Sequence, residues 1–459
     1  MADYELLKFI HDNHIQEVTF RFTDFLGQFR EMNYDSSTVD LKTLTEGIPV
    51  DGSSLKGWKE INDSDITVRP DLTTAGLDPF ASVPTLILIC DIIDPGTGNA
   101  YNRDPRGIAK KSVEYAKSTG IADTVRVGAE PEFFALDGAE YRVNPYEGFF
   151  KLTSSETSTE VSHHLEAKGG YLATPPRDMG GEMRSFMMEK LKSMGVSVEK
   201  HHHETAPDQH EIGIKFDTLV RNADDVQRLK YCAKRAAHCF GKTVTFMPKP
   251  ISGENGSGMH VHLSLKHEGK HVFAGDLYAG LSKECLYFIG GVQKHMKALN
   301  AFTNPSTNSY KRLVPGFEAP VLVAYSRHNR SAGTRIPLAA TPEGKRPEFR
   351  FPDSAACPYL AYAAILMAGI DGIQNQIDPG EAIDTNLYAL TSEETREIPH
   401  VCTSLSEALD NLDQDRAFLT AGGVFNDDLI TSYIKLKRDE IKWLETMPTP
   451  GEFQKYYSV

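Results

Sequence analysis

The chain has 459 residues, 40% of them hydrophobic, and carries a net charge of −14; that length exceeds one compact core and points to two domains, while the acidic balance argues against a nucleic-acid scaffold and leaves room only for local basic pockets. No apolar run approaches the roughly 18 residues that span a bilayer, and the opening MADYELLKFIHDNH lacks the basic, apolar, small-residue order of a signal peptide. Six cysteines, scattered without CxxC pairs, read as reduced thiols of a cytoplasmic protein rather than as a disulfide framework.

In chain order, residues 4–13 read as a helix, and VTFRFTDFLGQFREM as two alternating arms about a turn at Gly27. The run 83–92 is a buried strand closed by the turn DPGTGN. Asp104 and Pro105 supply the N-cap and first-turn proline of a helix reaching Ser118. The domain boundary falls near 103, dividing a small unit, 1–103, from a larger one, 104–459. Beyond it, 182–194 is an amphipathic helix ended by Gly195. Strands are expected near 126–134, 197–204, 209–216, 258–266 and 346–351, several with charged residues at alternate positions. Such strands describe an antiparallel sheet with one polar, working face. The polar, glycine-rich segment 138–172 carries no assignable pattern, and no internal repeat is visible.

The polar face is unusually acidic. AEPEFF places Glu130 and Glu132 two residues apart, on one face of a strand. Like charges held that close require something positive between them. Glu204 ends the run HHHE, Glu211 follows the turn TAPDQH, His260 and His262 alternate in GMHVHLS, and Glu348 lies in PEFRF. This oxygen-rich set suits Mg²⁺ or Mn²⁺ better than zinc. The turn GENGSG (253–258) can offer backbone N–H groups to a ligand but is not a P-loop, since no Gly-Lys-Ser/Thr follows. Arg312, Arg330, Arg335, Arg346 and Arg350 supply guanidinium forks for carboxylates and phosphates. Together these residues predict an ATP-using enzyme with an anionic co-substrate.

VDGSSLKGW (50–58), AEPEFF (129–134), HHHETAPDQHE (201–211), MPKPISGENGSGMHVHLSL (247–265), NPSTNSYKRLVPGFEAP (304–320), NRSAGTRIP (329–337) and EFRFPD (348–353) together resemble bacterial-type (class I) glutamine synthetases, almost from end to end. The resemblance implies an α+β fold, with a small N-terminal β-grasp domain and a larger catalytic domain built on an antiparallel sheet flanked by helices. It implies two or three divalent cations, held by Glu132, Glu204 and Glu211 on one side and by Glu130, His260 and Glu348 on the other. Glutamate would be held by Asn255, Gly256, Arg312, Glu318, Arg330 and Arg350. ATP would be held by Glu199, Phe216, His262, Ser264, Arg330 and Arg335. Asp51 would bind ammonium and take its proton, Glu318 on the flap PGFEAP would close the site, and Arg330 would act with them in catalysis. It further implies a homododecamer of two hexameric rings whose neighbours share sites. The loop DTNLYAL (384–390) resembles the one in which a tyrosine, here Tyr388, is adenylylated by a partner adenylyltransferase.

Four positions depart from the family pattern. Glu343 stands where lysine is common, with Lys345 the available replacement; Asp208 replaces a usual glycine, and His328 a usual arginine. Pro347 removes a backbone donor just before Glu348, which favours an edge or a non-bonded position for that residue. The rival reading is a γ-glutamyl ligase that joins glutamate to a polyamine or other amine; retention of DGSS and of the flap favours ammonium.

Overall fold

Alternation in EVTFRFT and FREMNYD produces the first two strands, Glu17–Thr23 and Phe29–Asp35, paired antiparallel. Asp24 shapes the turn between them, its carboxylate accepting from the N–H groups of Leu26 and Gln28 at 2.9 and 3.0 Å. This computed structural model describes residues 3–159 and 163–459. Thr85–Ile93, almost wholly apolar, lies parallel to Glu17–Thr23 in the middle of the sheet. Buried on both faces, it needs no polar alternation. Antiparallel partners Asp65–Pro70 and then Ile48–Asp51 complete that side, so Asp51 ends an edge strand. One parallel pair in an otherwise antiparallel sheet, with the helix Asp3–Asp12 turning Leu6 and Ile10 into the core, gives the expected β-grasp unit.

The Asp104 carboxylate accepts from the N–H of Arg106 and caps Pro105–Ser118, as its sequence predicts. Arg106, buried, then binds Asp91 of the N-terminal sheet at 2.6 Å and Asp224 of the catalytic unit at 2.9 Å. A buried guanidinium between the N-terminal sheet and the helix Leu219–Cys239 is stable only with several carboxylates around it.

The larger sheet runs Val198–His203, Gln209–Ile214, Thr124–Leu136, Met259–His267, Glu348–Phe349, Thr334–Ile336, Tyr325–Arg327. Its pairs along this path are antiparallel except the last. Helix Leu219–Cys239 packs on one side, against Thr124–Leu136, and Pro358–Gln374 packs against that helix, Pro105–Ser118 and Lys283–Lys294. Pro358–Gln374 is apolar on nearly every position and correspondingly buried all round.

Two expectations change. The strand foreseen over 346–351 shrinks to Glu348–Phe349 and is not at an edge, lying between Met259–His267 and Thr334–Ile336. Pro347 is accommodated by standing outside the two-residue ladder, where only its carbonyl is used, accepting from Leu263. Within 138–172, Gly138–Asn144 and Glu147–Thr153 form a separate antiparallel hairpin, exposed along nearly all of its length.

Candidate active site

Strand register brings the acidic residues together. Glu132 lies directly opposite Glu211, Glu130 opposite His260, His262 opposite Glu348, and His202 opposite Glu211. All of these except His262 line one side of a cavity of about 590 Å³. The six predicted ligands Glu130, Glu132, Glu204, Glu211, His260 and Glu348 all face it, as do Asn255, Gly256, Arg312, Glu318, Arg330, Arg335, Arg350 and Tyr388.

Two groups have donor atoms close enough to share an ion: Glu130, His262 and Glu348, and His202, Glu204 and Glu211. The division differs from the sequence-based one, with His262 standing beside Glu348 and His202 joining Glu204. His202 Nε2 is 2.7 Å from Glu204, and both His260 and His262 approach Glu130, at 3.4 and 3.3 Å. Glu132 accepts from Gln209 and from the N–H of Gly258 at 2.9 and 3.0 Å. Glu348 is flanked by Arg335 and Arg350.

The electrostatics of this set fit a divalent cation. Burial, then the neighbouring Glu204, pushes the Glu132 carboxyl up to about 8 despite Arg312. Burial, followed by Glu130, Glu132 and Glu204, raises Glu211 well above the carboxylate range. Burial would raise Glu348 also, but His262, Arg350, His260 and Arg335 outweigh it and hold that carboxyl at about 2. Left alone, the Glu132–Glu211 side relieves its repulsion by keeping protons; a hard cation would relieve it better. A third group, Glu156, Asp178 and His203, lies behind the cavity. There Arg184 grips Asp178 at 2.6 Å, and His203 bridges Glu156 and the Glu204 carbonyl at 2.8 and 2.6 Å, so its charges are already balanced.

Opposite the acids, the Gly256 turn has no room for a side chain: a β-carbon there would sit 2.3 Å from the Pro248 carbonyl and 2.9 Å from Arg312. The close approach keeps Asn255 and the Gly256 backbone against the cavity wall. Arg312, buried, is fixed by the Phe351 and Arg350 carbonyls at 3.0 and 3.1 Å. Arg330 and Glu318 are exposed on the cavity's rim.

Other predicted residues lie elsewhere. Glu199, Phe216, His262 and Ser264 are outside this cavity lining, on the far side of Glu130. Phe216 lies on Gly128, where a β-carbon would be 2.5 Å from its ring, and it packs against His262 with centroids 5.8 Å apart. Arg346 donates to His262 at 3.2 Å and covers Phe216 at 5.2 Å. Asp51 is exposed and lies outside its own chain's cavity, accepting from the hydroxyls of Ser53 and Ser54 at 2.6 Å. Those hydroxyls, with the Ser53 N–H, hold its carboxyl below the ordinary range. Lys345 donates to the Ala279 carbonyl and is likewise not part of the lining, while Glu343 lies 3.7 Å from His271.

Sequence reasoning missed Lys168, Tyr171, Lys200, His202, Thr205, Gln209 and Phe317 in the cavity wall. His202 was within reach: it shares the face of Glu204 by simple alternation. Lys168 and Tyr171 belong to the segment without a readable pattern.

Models of two domains match the chain: "Glutamine synthetase, catalytic domain" over residues 102–456 and "Glutamine synthetase, beta-Grasp domain" over 14–95. The chain belongs to the glutamine synthetase family. A glutamine synthetase of Rhizobium meliloti is 56% identical, with 99% of each chain covered. The cryo-EM structure of Plasmodium falciparum glutamine synthetase superposes with a TM-score of 0.90 at 32% identity, covering 100% of this chain and 99% of that one. A GmaS–ADP complex superposes at 0.83 with 28% identity, covering 99% of both.

Proposed function

We infer that the enzyme is an ATP-dependent glutamate–ammonia ligase, joining ammonium to the γ-carboxylate of L-glutamate through γ-glutamyl phosphate and releasing glutamine, ADP and phosphate. One observation carries the residue-level reading: a single cavity combines six carboxylate and imidazole groups with Arg312, Arg330, Arg335 and Arg350. A carboxylate is a poor electrophile, and its activation by phosphoryl transfer demands positive charge around the moving phosphoryl group.

Glu132, Glu204 and Glu211, with His202, would hold one cation; Glu130, His260, His262 and Glu348 would hold another. Mg²⁺ or Mn²⁺ bound there supplies charge neutralisation to phosphate oxygens. Arg335 and Arg330 contribute fixed charge of the same kind. The buried Arg312 fork, the Asn255–Gly256 turn and Arg350 orient glutamate. Phe216, with Glu199, His262 and Ser264, forms the nucleotide side, beyond Glu130. Glu318 lies on the rim, where closing the flap excludes water and places a carboxylate near the acyl phosphate.

Ammonium must lose a proton before it can attack. Asp51, exposed and outside its own cavity, fits a site completed by a second copy of the chain, in which the division near residue 103 separates the lending unit from the receiving one. The free-standing aromatic hairpin Gly138–Thr153 and the exposed Phe453, Tyr456 and Tyr457 near the C-terminus support a homo-oligomer, assigned to the two-ring dodecamer. Six free cysteines support a cytoplasmic setting, and no helix among the described residues is long and apolar enough to cross a membrane. Tyr388, partly exposed in the cavity wall, is the proposed adenylylation site.

A coupled assay of phosphate release with glutamate and ATP, offering ammonium or a series of amines, tests the reading. Turnover with ammonium should exceed turnover with every amine. Preference for a polyamine or alkylamine would transfer the enzyme to the γ-glutamyl ligase reading.

A further inference from the structure

The flap that carries Glu318 is held at one ring. Phe317 lies between two ammonium groups from different loops, Lys249 Nζ at 3.7 Å and Lys168 Nζ at 4.4 Å from its centroid. The same two lysines meet at Glu254: the Lys168 N–H donates to its carboxylate at 3.1 Å, and Lys249 Nζ donates to its carbonyl. Glu254 is buried and immediately precedes Asn255 and Gly256. Lys249 is itself fixed by Asn308, which accepts from its N–H at 2.7 Å and donates to its carbonyl at 3.0 Å. Two segments beside the glutamate subsite, one carrying Lys168 and one carrying Lys249 and Glu254, thus meet on one aromatic side chain.

The flap needs such a hold. Gly316 and Glu318, on either side of Phe317, both have left-handed backbones, with φ of +88° and +56°. Glycine adopts that conformation freely, but glutamate does so against its β-carbon. A strained residue persists only where its surroundings fix it, and a β-carbon at Gly316 would meet nothing within 4 Å. The attachment is therefore the Phe317 ring. Two cations over one ring repel each other, and the Glu254 carboxylate lies where it offsets that repulsion. Burial, then the Lys168 charge, lowers the Lys249 ammonium to about 8, with Glu254 opposing.

We propose that Phe317, Lys168 and Lys249 form a cation–π latch whose function is positional: it holds the flap at the mouth of the glutamate subsite and so keeps water from the acyl phosphate. The inference rests on the reading above that Glu318 acts from this flap. With the latch loosened, a water oxygen attacks the γ-acyl carbon of γ-glutamyl phosphate. The carbon–oxygen bond to phosphate breaks, phosphate leaves, and the released proton passes to solvent. Glutamate is regenerated, and the net reaction is hydrolysis of ATP to ADP and phosphate.

The decisive quantity is phosphate released per glutamine formed, measured on the assembled full-length enzyme with saturating ATP and glutamate and limiting ammonium. Phe317→Leu keeps apolar bulk but removes the π face, and its ratio should rise several-fold above the wild-type value near one. Phe317→Tyr keeps the face and should restore a ratio near one. Lys168→Met, an exposed side chain whose main-chain bond to Glu254 survives, should raise the ratio about twofold and increase KM for glutamate more than it lowers kcat. Lys168→Met with a wild-type ratio and KM overturns the two-cation latch, whatever Phe317→Leu does. Glu318→Ala separates the two layers of argument. Wild-type kcat and ratio in that variant would overturn the reading of the flap itself. Impaired Glu318→Ala beside fully coupled Phe317→Leu and Lys168→Met would overturn the latch alone.

Discussion

Asp208 offers a measurement of what burying one carboxyl does to this fold. It is 1% exposed, sits at φ +60°, and neither carboxylate oxygen has a well-formed hydrogen bond among the described residues. Burial, then Glu156, pushes its carboxyl up from 3.8 to about 7, with Ser154 and Lys242 opposing weakly. Between those values the folded chain keeps a proton that the unfolded chain has released. Stability therefore falls as pH rises through that window and is level above it, with a slope of up to about 1.4 kcal/mol per pH unit. From pH 5 to 8 the loss is at most about 2.7 kcal/mol, and relaxation of the surroundings brings it to about half of that. Asp208→Asn keeps the shape and tolerates the left-handed backbone. The N–H bond to Glu156 at 2.6 Å and the carbonyl bond from Ala135 at 2.9 Å also survive the change. Its buried amide has its own desolvation penalty, equal at every pH, so the slope is the readout. Urea midpoints at pH 5 and pH 8, at one protein concentration and with unchanged m-values, should show the variant gaining about 1 to 2.7 kcal/mol on the wild type between the two. Parallel pH profiles would refute the argument, because they would mean that Asp208 is ionised without penalty where it lies.

Glu132→Gln and His260→Ala should each weaken divalent-metal binding in titration calorimetry and cut turnover at least a hundredfold. The stabilisation given by saturating metal, about 2.7 kcal/mol at 100 times Kd in the wild type, should shrink in both; unchanged metal affinity would remove these residues from the ligand set. Asp51→Asn should lower ammonium-dependent turnover by about two orders of magnitude or more, while hydroxylamine, neutral at pH 7, is used comparatively well. Equal losses with both nucleophiles would count against proton acceptance by Asp51. Protein from nitrogen-replete cells should contain subunits heavier by one AMP, lost in Tyr388→Phe and on phosphodiesterase treatment. An unmodified mass in both replete and starved cells returns Tyr388 to a purely structural part of the cavity wall.

The acidic strands were readable because their function is written with period two. Glu130 with Glu132, and His260 with His262, must share faces once they are on strands, and the register only adds which pairs oppose. The split between cation groups was not readable, because it depends on which strand lies opposite which: His262 reaches Glu348 across a pairing of strands far apart in sequence. The hairpin Gly138–Thr153 escaped notice for another reason. Its strands turn no apolar face to a core, so the alternation that announces a half-buried strand has nothing to encode. The expected length of the last catalytic strand failed at Pro347, where ring geometry and a missing N–H confine the ladder to two residues. Asp51 shows a limit of a different kind: its motif is plain in sequence, but a single chain does not bring it to the cavity.

In the proposed homo-oligomer, that exposed hairpin would also link local order to protein concentration. A lone two-stranded ribbon is marginal in water, and this one exposes Tyr141, Tyr146 and Phe150 at its surface. Any assembly that covers these rings adds its association free energy to the ribbon's own folding equilibrium. Dilution would then loosen the ribbon before it disturbed either core, and a protease acting near Tyr146 would serve as a gauge of subunit dissociation. Amide exchange along Glu147–Thr153 should slow as concentration rises, while exchange in the helix Pro358–Gln374 stays constant; the ribbon would act as a thermometer of assembly built into each subunit.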